Sequence, residues 1–381
     1  MKILQIGKFY PPCFGGIEKV NYDIVEGLNI RGVQTDVLCF NHNKTDVLCF
    51  NHNKGDEFAE DTYKIYRVHT LKIVASTPIS YTFITTLKKI QGEYDIIHIH
   101  LPNPMANLAV FLTRPKAKII LHWHSDIIKQ QKLMLLYKPL LLWLLRKATC
   151  IVVTSPTYVE GSSILKEYRD KIACIPIGID SKELIIKKSV LDRLKETYKN
   201  KKIVFALGRL VYYKGFEYLI EASKSLPNDT IILIAGIGEL KDKLQEQICV
   251  NKLEHKVELL GRISFEELGA YYEFCDIFCL PSTERSEAFG VVQIEAMAFG
   301  KPIISTNIQG SGVDWVNLDN VSGVIVPPKK TKELADAIIN LLNDNKKYKR
   351  LSEGAKKRYK EEFTKDKMVE KFENLYLEIL K

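Results

Sequence analysis

Short, continuous apolar runs alternate with longer amphipathic ones through almost the whole sequence. KILQIG is followed by IEKVNYDIVEGLNIRG, YDIIHIH by PMANLAVFLTR, KIILHWH by a leucine-rich segment and CIVVTS by PTYVEGSSILKEY. Continuous apolar strands separated by amphipathic helices are strands covered on both faces, so the pattern predicts α/β architecture with parallel, doubly wound sheets. The alternation pauses at residues 175–190, IPIGIDSKELIIKKSV, then resumes with KIVFALG, TIILIAG, KVELLG and DIFCLP. That pause predicts two Rossmann-like domains, residues 1–178 and 179–365, in keeping with 381 residues at roughly 150 per domain. Residues 331–381 read as successive charged amphipathic helices with no strand.

Hydrophobic content of 46% and charge of 27% belong to a globular chain. Lys plus Arg exceeds Asp plus Glu by 55 − 46 = 9, and much of the excess sits at residues 346–350 and 356–360. That suits a solvated helix or an anionic surface, and no motif points to nucleic acid. The eight cysteines lack paired C-x-x-C spacing and lie mostly in strand-like stretches, the pattern of reduced thiols in a cytoplasmic chain. The N-terminal apolar run is too short for a signal peptide, and no run reaches the about 18 apolar residues of a membrane span. Residues 133–145, LMLLYKPLLLWLL, have basic flanks and fit either a buried helix or one lying on a membrane surface.

Residues 35–44 and 45–54 are the same ten residues, TDVLCFNHNK, back to back. The period is too short for a solenoid, so this is a local tandem duplication. The first copy follows a helix and is expected to be the strand, with the second enlarging the loop after it. Identical copies specify the pairing strand only weakly.

In an open parallel sheet ligands bind beyond the carboxyl ends of the strands, and the unusual residues of this chain gather there. After the first strand comes KFYPPCFGGIE, with Gly15 and Gly16 just before a helix. Later strands end at His98 and His100, and at His122, His124 and Asp126. KIVFALG runs into Arg209 and Lys214, and TIILIAG ends at Gly236. Two sets of strand ends predict a central cleft, whose second-half wall carries cations suited to a diphosphate and carboxylates suited to sugar hydroxyls. Each signal alone has a plain explanation: Gly-Gly is a turn, and Arg209 with Lys214 is surface charge. His122, His124 and Asp126 include legitimate zinc ligands, but strand-end histidines more often bond substrate or backbone, and no metal is expected. GIGELK lacks the third glycine of a dinucleotide fingerprint, FGKPI lacks the Ser/Thr of a Walker loop, and no Asp-x-Asp pair occurs.

Residues 281–305, PSTERSEAFGVVQIEAMAFGKPIIS, carry the densest chemistry. A turn-rich segment ending in Phe289 and Gly290 leads into a helix starting near Val291. Glu287 lies in the loop and Glu295 in the helix, where its neighbours three and four residues away are Val291, Val292, Ala298 and Phe299. A carboxylate in that apolar setting breaks the local pattern, and such breaches tend to mark sites. The solvated-loop and core-edge explanations remain open for the segment taken alone.

Together these strings resemble the retaining glycosyltransferases of family 4, which have the two-domain GT-B fold. Glu287-AFGVVQI-Glu295 supplies the E-x7-E motif, supported by GRLVYYKG at 208–215, FGG at 14–16 and PIGID at 176–180. The resemblance implies that Arg209 and Lys214 hold the donor diphosphate, with Gly15, Gly16 and Gly236 approaching it through the backbone. It implies that Glu295 binds the ribose, and that Glu287 with the amides around Phe289, Gly290 and Val291 holds the transferred sugar. His124 falls where such enzymes place a group over the sugar, and Asp126, with His100 and Asn103, falls on the acceptor side. The family's last helix, here residues 366–381, packs back on the first domain. The duplicated 35–54 segment departs from the family pattern and enlarges a loop of the first domain.

HWHSDIIKQ, RSEAFGVVQIEAM and GSGVDWVN are similar to members that build bacterial O-antigen or other surface polysaccharides on a lipid-linked acceptor. That implies a nucleotide-sugar donor, GDP-mannose type ahead of UDP-hexose, with no metal or other cofactor, at the cytoplasmic face of the inner membrane. A GT-B sugar-nucleotide epimerase and a non-catalytic membrane-surface scaffold stay as alternatives. Deleting residues 45–54 is expected to leave a folded, active protein; loss of soluble protein on that deletion would refute the reading of the repeat.

Overall fold

The structure, a computed structural model, describes residues 1–12, 15–41, 63–127 and 131–381. The chain divides into two compact units. The first comprises Met1–Thr154, Ser162–Ile177 and Lys365–Lys381, the second Ser155–Gly161 and Gly178–Thr364.

The first unit contains strands β1 (Lys2–Ile6), β2 (Gln34–Phe40), β3 (Ile65–Val68), β4 (Lys72–Val74), β5 (Thr77–Ile79), β6 (Ile96–Leu101), β7 (Lys118–Trp123), β8 (Cys150–Val153) and β9 (Ile172–Cys174). Seven form one sheet in the order β3-β2-β1-β6-β7-β8-β9, all neighbours parallel, and β4 and β5 form a separate antiparallel hairpin. The first repeat copy supplies β2 from Thr35 onward, as expected; the whole second copy and Phe14 of the FGG string lie outside the described residues.

The second unit contains β10 (Lys202–Leu207), β11 (Thr230–Ala235), β12 (Val257–Gly261), β13 (Ile277–Leu280), β14 (Ile303–Thr306) and β15 (Gly323–Val326). Its order is β12-β11-β10-β13-β14-β15, again all parallel. Both sheets reverse direction beside their first strand, which is the doubly wound arrangement, with the switch at β1/β6 and at β10/β13. The inner strands are fully buried because helices cover both faces, and Val204, Ile232, Ile277 and Ile304 join one core with Phe216, Leu219 and Ile338.

One boundary differs from the sequence expectation. Ser155–Gly161, placed by the alternation in residues 1–178, groups with the second unit. The Arg285 guanidinium stacks 4.6 Å over the Tyr158 ring and donates to the Gly310 carbonyl at 2.7 Å, and Gly161 meets Gly310 so closely that a Cβ on either would collide with the other's backbone. These contacts are distant in sequence and invisible to a pattern of apolar runs.

The helix Lys365–Leu380 completes the first unit. It lies against the helix Gly16–Ile30, where Gly27 leaves room for the Val369 methyls; Lys365 pairs with Asp23 at 3.2 Å and Arg31 with Glu373 at 3.2 Å. Its Phe372 and Tyr376 cover a patch of four histidines: His98 and His100 on β6, His122 on β7, and His124 just after it. His100 and His122 are cross-strand partners, and all four rings are buried. Burial lowers His98 and His124 to about 3 and holds His100 and His122 well below the usual imidazole range, with neighbouring histidines adding to the effect on His98, His100 and His122.

Because these folded-state values lie below the unfolded value near 6.5, the unfolded chain binds more protons in acid. The stabilisation is therefore complete above pH 6.5 and is lost progressively as pH falls toward 3, by up to about 1.4 kcal/mol per pH unit for each such histidine. Thermal unfolding followed from pH 7 to pH 4.5 is expected to show Tm falling from about pH 6.5 downward, less steeply in His122→Leu. Equal slopes in variant and wild type would contradict this account.

Candidate functional site

In the second unit two loops at the carboxyl ends of the switch-point strands meet. After β10 the chain passes Gly208 and Arg209 into a short 3-10 turn, Tyr212–Lys214, ended by Gly215 in the left-handed region at φ 67°. A side chain there would strike the Pro281 carbonyl, so the glycine lets the two loops touch. The loop after β13 is tied to that turn by the Thr283 amide, which donates to the Tyr213 carbonyl at 2.8 Å.

This contact brings Lys214 and Glu287 together. Both are about 8% exposed, and Lys214 Nζ lies 2.5 Å from Glu287 Oε2. The same oxygen accepts from Ser282 Oγ at 2.9 Å, and the Ser311 hydroxyl donates to the Glu287 carbonyl. A buried carboxylate is retained when it is paired and hydrogen-bonded, and here it is both. Arg209 is exposed and donates from Nη2 to the Tyr213 hydroxyl at 3.0 Å, which aims a second cation beyond the end of β10.

The helix Val291–Ala298 starts at Gly290, which has φ 76° and no side-chain cap, as a glycine-led turn permits. Phe289 is 4% exposed and packs on Phe363 and Trp315, so its ring is core and its backbone is what the loop offers. Val291 is half-buried on the helix's first turn. Glu295 is half-buried, and its Oε2 accepts from the Tyr272 hydroxyl at 2.6 Å. Burial, then the Glu295 charge, pushes the Tyr272 hydroxyl well above its ordinary range, so it stays protonated and donates. Gly236, at φ 145° after β11, sits where a Cβ would collide with the Gly208 carbonyl; its glycine serves close approach of two strand ends.

In the first unit Gly15 is the extended N-cap residue of the helix that Gly16 begins. His124 follows β7; its amide donates to the Leu101 carbonyl at 3.2 Å and its Nε2 lies 2.9 Å from His100 Nδ1. Asp126 Oδ1 accepts from Trp123 Nε1 at 2.9 Å and from Ser162 Oγ at 3.2 Å. A cavity of about 250 Å³ opens beside it, lined in part by Trp123, Ser125, Asp126, Tyr137 and Ser163.

Two acceptor-side expectations are corrected. Both nitrogens of His100 are engaged inside the protein, Nδ1 with His124 and Nε2 with Gln5 Oε1 at 3.0 Å, so it stands behind His124 and does not face a ligand. Asn103 is fully buried and caps the helix Pro104–Thr113, its Oδ1 accepting from the Ala106 amide at 3.2 Å. The histidines whose nitrogens cluster within 4.8 Å are His98, His100 and His122, a different set from His122, His124 and Asp126. Tyr272, Ser282, Ser311, Gln5 and Tyr376, which hold the expected residues in place, escaped the sequence reading. Tyr272 is one of several aromatic residues in the acidic helix Phe265–Phe274, and nothing local in the sequence singles it out.

Residues 190–358 match the family model of glycosyl transferases group 1, and residues 14–183 that of glycosyltransferase family 4. The chain is 34% identical to O-antigen chain mannosyltransferase C of Escherichia coli, covering 100% of this chain and 99% of that one. It is 30% identical to the D-rhamnosyltransferase WbpZ of Pseudomonas aeruginosa over 96% and 92% of the two chains. Among solved structures it superimposes on Anabaena HepE, determined with UDP, with TM-score 0.78 and 21% identity over 99% and 100% of the chains, and on sucrose-phosphate synthase from Thermosynechococcus elongatus with TM-score 0.77 and 21% identity over 100% and 99%. The protein therefore belongs to the glycosyltransferases of group 1 and family 4, with the GT-B fold.

Proposed function

We propose that the protein transfers a hexose, with retention at the anomeric carbon, from a nucleotide sugar to a lipid-linked glycan in O-antigen or surface polysaccharide synthesis. The observation that carries this reading is the buried Lys214–Glu287 pair in the loops that also carry Arg209 and that lead into the helix bearing Glu295. Arg209 and Lys214 oppose the charge that develops on the leaving diphosphate, the role that reactions of this class elsewhere give to a divalent ion, and the reading requires no metal. In the free protein Glu287 holds Lys214 ready, and on donor entry the lysine shares its protons between carboxylate and phosphate. Glu287, with the backbone around Phe289 and Gly290, holds sugar hydroxyls, and Glu295, aimed by Tyr272, binds the ribose.

The acceptor hydroxyl attacks from the face that the diphosphate leaves, and a diphosphate oxygen takes its proton, so Glu287 forms no covalent intermediate. The relatives' names favour mannose or its 6-deoxy form as the transferred sugar, and a GDP donor ahead of UDP. Asp126 and the cavity beside it are assigned to the acceptor. Among the described residues no helix is long and apolar enough to cross a membrane. The helix Gln131–Lys147 nevertheless exposes Leu135 and Leu136, with Lys138 exposed near them and Arg146 and Lys147 exposed at the helix's far end, which supports peripheral binding to the cytoplasmic leaflet that carries the acceptor.

Calorimetry with GDP and UDP tests the donor site. One nucleotide is expected to bind the wild type and to be lost or much weakened in Glu295→Ala; equal binding by the variant would leave the carboxylate structural and refute the assignment. Arg209→Ala is expected to lower kcat by a factor on the order of 10²–10³, the usual effect of removing one pre-aligned donor to a developing anion. A free hexose formed without acceptor would instead point to an epimerase.

A further inference from the structure

A chain of hydrogen bonds runs inside the first unit from His124 to His98. His124 Nε2 lies 2.9 Å from His100 Nδ1, His100 Nε2 lies 3.0 Å from Gln5 Oε1, Gln5 Nε2 lies 3.0 Å from the Tyr376 hydroxyl, and that hydroxyl lies 2.5 Å from His98 Nδ1. The glutamine amide sets the polarity, because its oxygen only accepts and its nitrogen only donates. His100 must therefore carry its proton on Nε2. A neutral His100 then offers a lone pair at Nδ1, and only a proton on His124 Nε2 can fill the remaining gap. Tyr376 accepts from Gln5 and donates to His98.

We infer that Gln5, His100 and Tyr376 are positioning residues that lock His124 in the Nε2-protonated tautomer, so that its Nδ1 faces the substrate as a bare acceptor for a sugar hydroxyl. The inference rests on the reading that His124 touches the sugar. Of the four histidines His124 keeps the most exposure, 7%, and Nδ1 has no hydrogen-bond partner among the described residues. The groups facing this chain from neighbouring elements are His122, stacked on His124 with ring centroids 4.0 Å apart, and Phe372. Burial keeps the rings uncharged, so the tautomer and not the charge is what the chain selects. An acceptor nitrogen of this kind recognises an O–H and repels a phosphate oxygen. With its pKa near 3 it is also a poor base at neutral pH, so it orients the hydroxyl without removing its proton.

The test is a long-range proton–nitrogen NMR spectrum of histidine-labelled protein at pH 7, with the His124 signals identified by their loss in His124→Asn. A protonated Nε2 and unprotonated Nδ1 are expected, turning into a mixture of tautomers in Gln5→Leu. The same variant should lose about tenfold in kcat/KM for the nucleotide sugar, the worth of one hydrogen bond, while binding the free nucleoside diphosphate as the wild type does. Gln5→Glu, which keeps an acceptor toward His100, should restore the tautomer and recover most of the loss. If Gln5→Leu fails to fold, Tyr376→Phe frees the amide to turn over and carries the same readouts. A protonated Nδ1 in the wild type, or an unchanged tautomer in both Gln5→Leu and Tyr376→Phe, overturns the inference. The expected tautomer together with full activity in His124→Ala leaves the chain of bonds standing and overturns the substrate contact.

Discussion

Strands hydrogen-bonded on both edges and covered by helices on both faces have no place for an unsatisfied polar group except where they end. That constraint shapes both units. β1, β6, β10 and β13 are apolar along most of their length, and their loops begin with Gly7, Pro102, Gly208 and Pro281. Chemistry is pushed to the ends of the strands because the interior admits little that cannot pair. The reversal of strand order sends the connections after β10 and β13 to opposite faces of the sheet, and in the second unit the loops that begin them touch and supply Lys214 and Glu287.

The histidine patch is the exception that shows how strict the constraint is. Four imidazoles occupy a sheet face that would otherwise take aliphatic side chains, and they persist there uncharged, stacked on one another and under Phe372 and Tyr376. The nitrogens of His122 and Nε2 of His98 make no hydrogen bond among the described residues, a cost of about 1–3 kcal/mol for each such group. A face that tolerates this expense for stability alone would be unusual, and the directed chain ending at His124 gives it a use.

Much of this was legible in the sequence. Apolar runs gave the sheets, the pause near residues 175–190 includes one of the points where the chain passes between the units, Ile177 to Gly178, and Glu295 stood out because its helical neighbours are apolar. What periodicity does not carry is pairing between distant positions. Gln5 and Tyr376 are 371 positions apart, Tyr272 precedes Glu295 by 23, and none of them breaks a local pattern. His100 and Asn103 illustrate the opposite error: polar residues at a strand end look like ligand contacts, yet one serves as a link behind His124 and the other as a helix cap. The grouping of Ser155–Gly161 with the second unit likewise depends on Arg285 and Gly310, more than a hundred positions away.

The return of Lys365–Leu380 to the first unit has a consequence for how the protein is made. Tyr376 and Phe372, the residues that roof the histidine patch, are synthesised after every strand of both units, including the strands they cover. Until that helix is made, the histidine face lacks the Phe372 and Tyr376 rings that cover it. The second unit, whose residues run no further than Thr364, is fully synthesised before the helix that closes the first. A nascent chain halted after Thr364 would therefore hold every residue of the second unit while the first still lacked its covering helix.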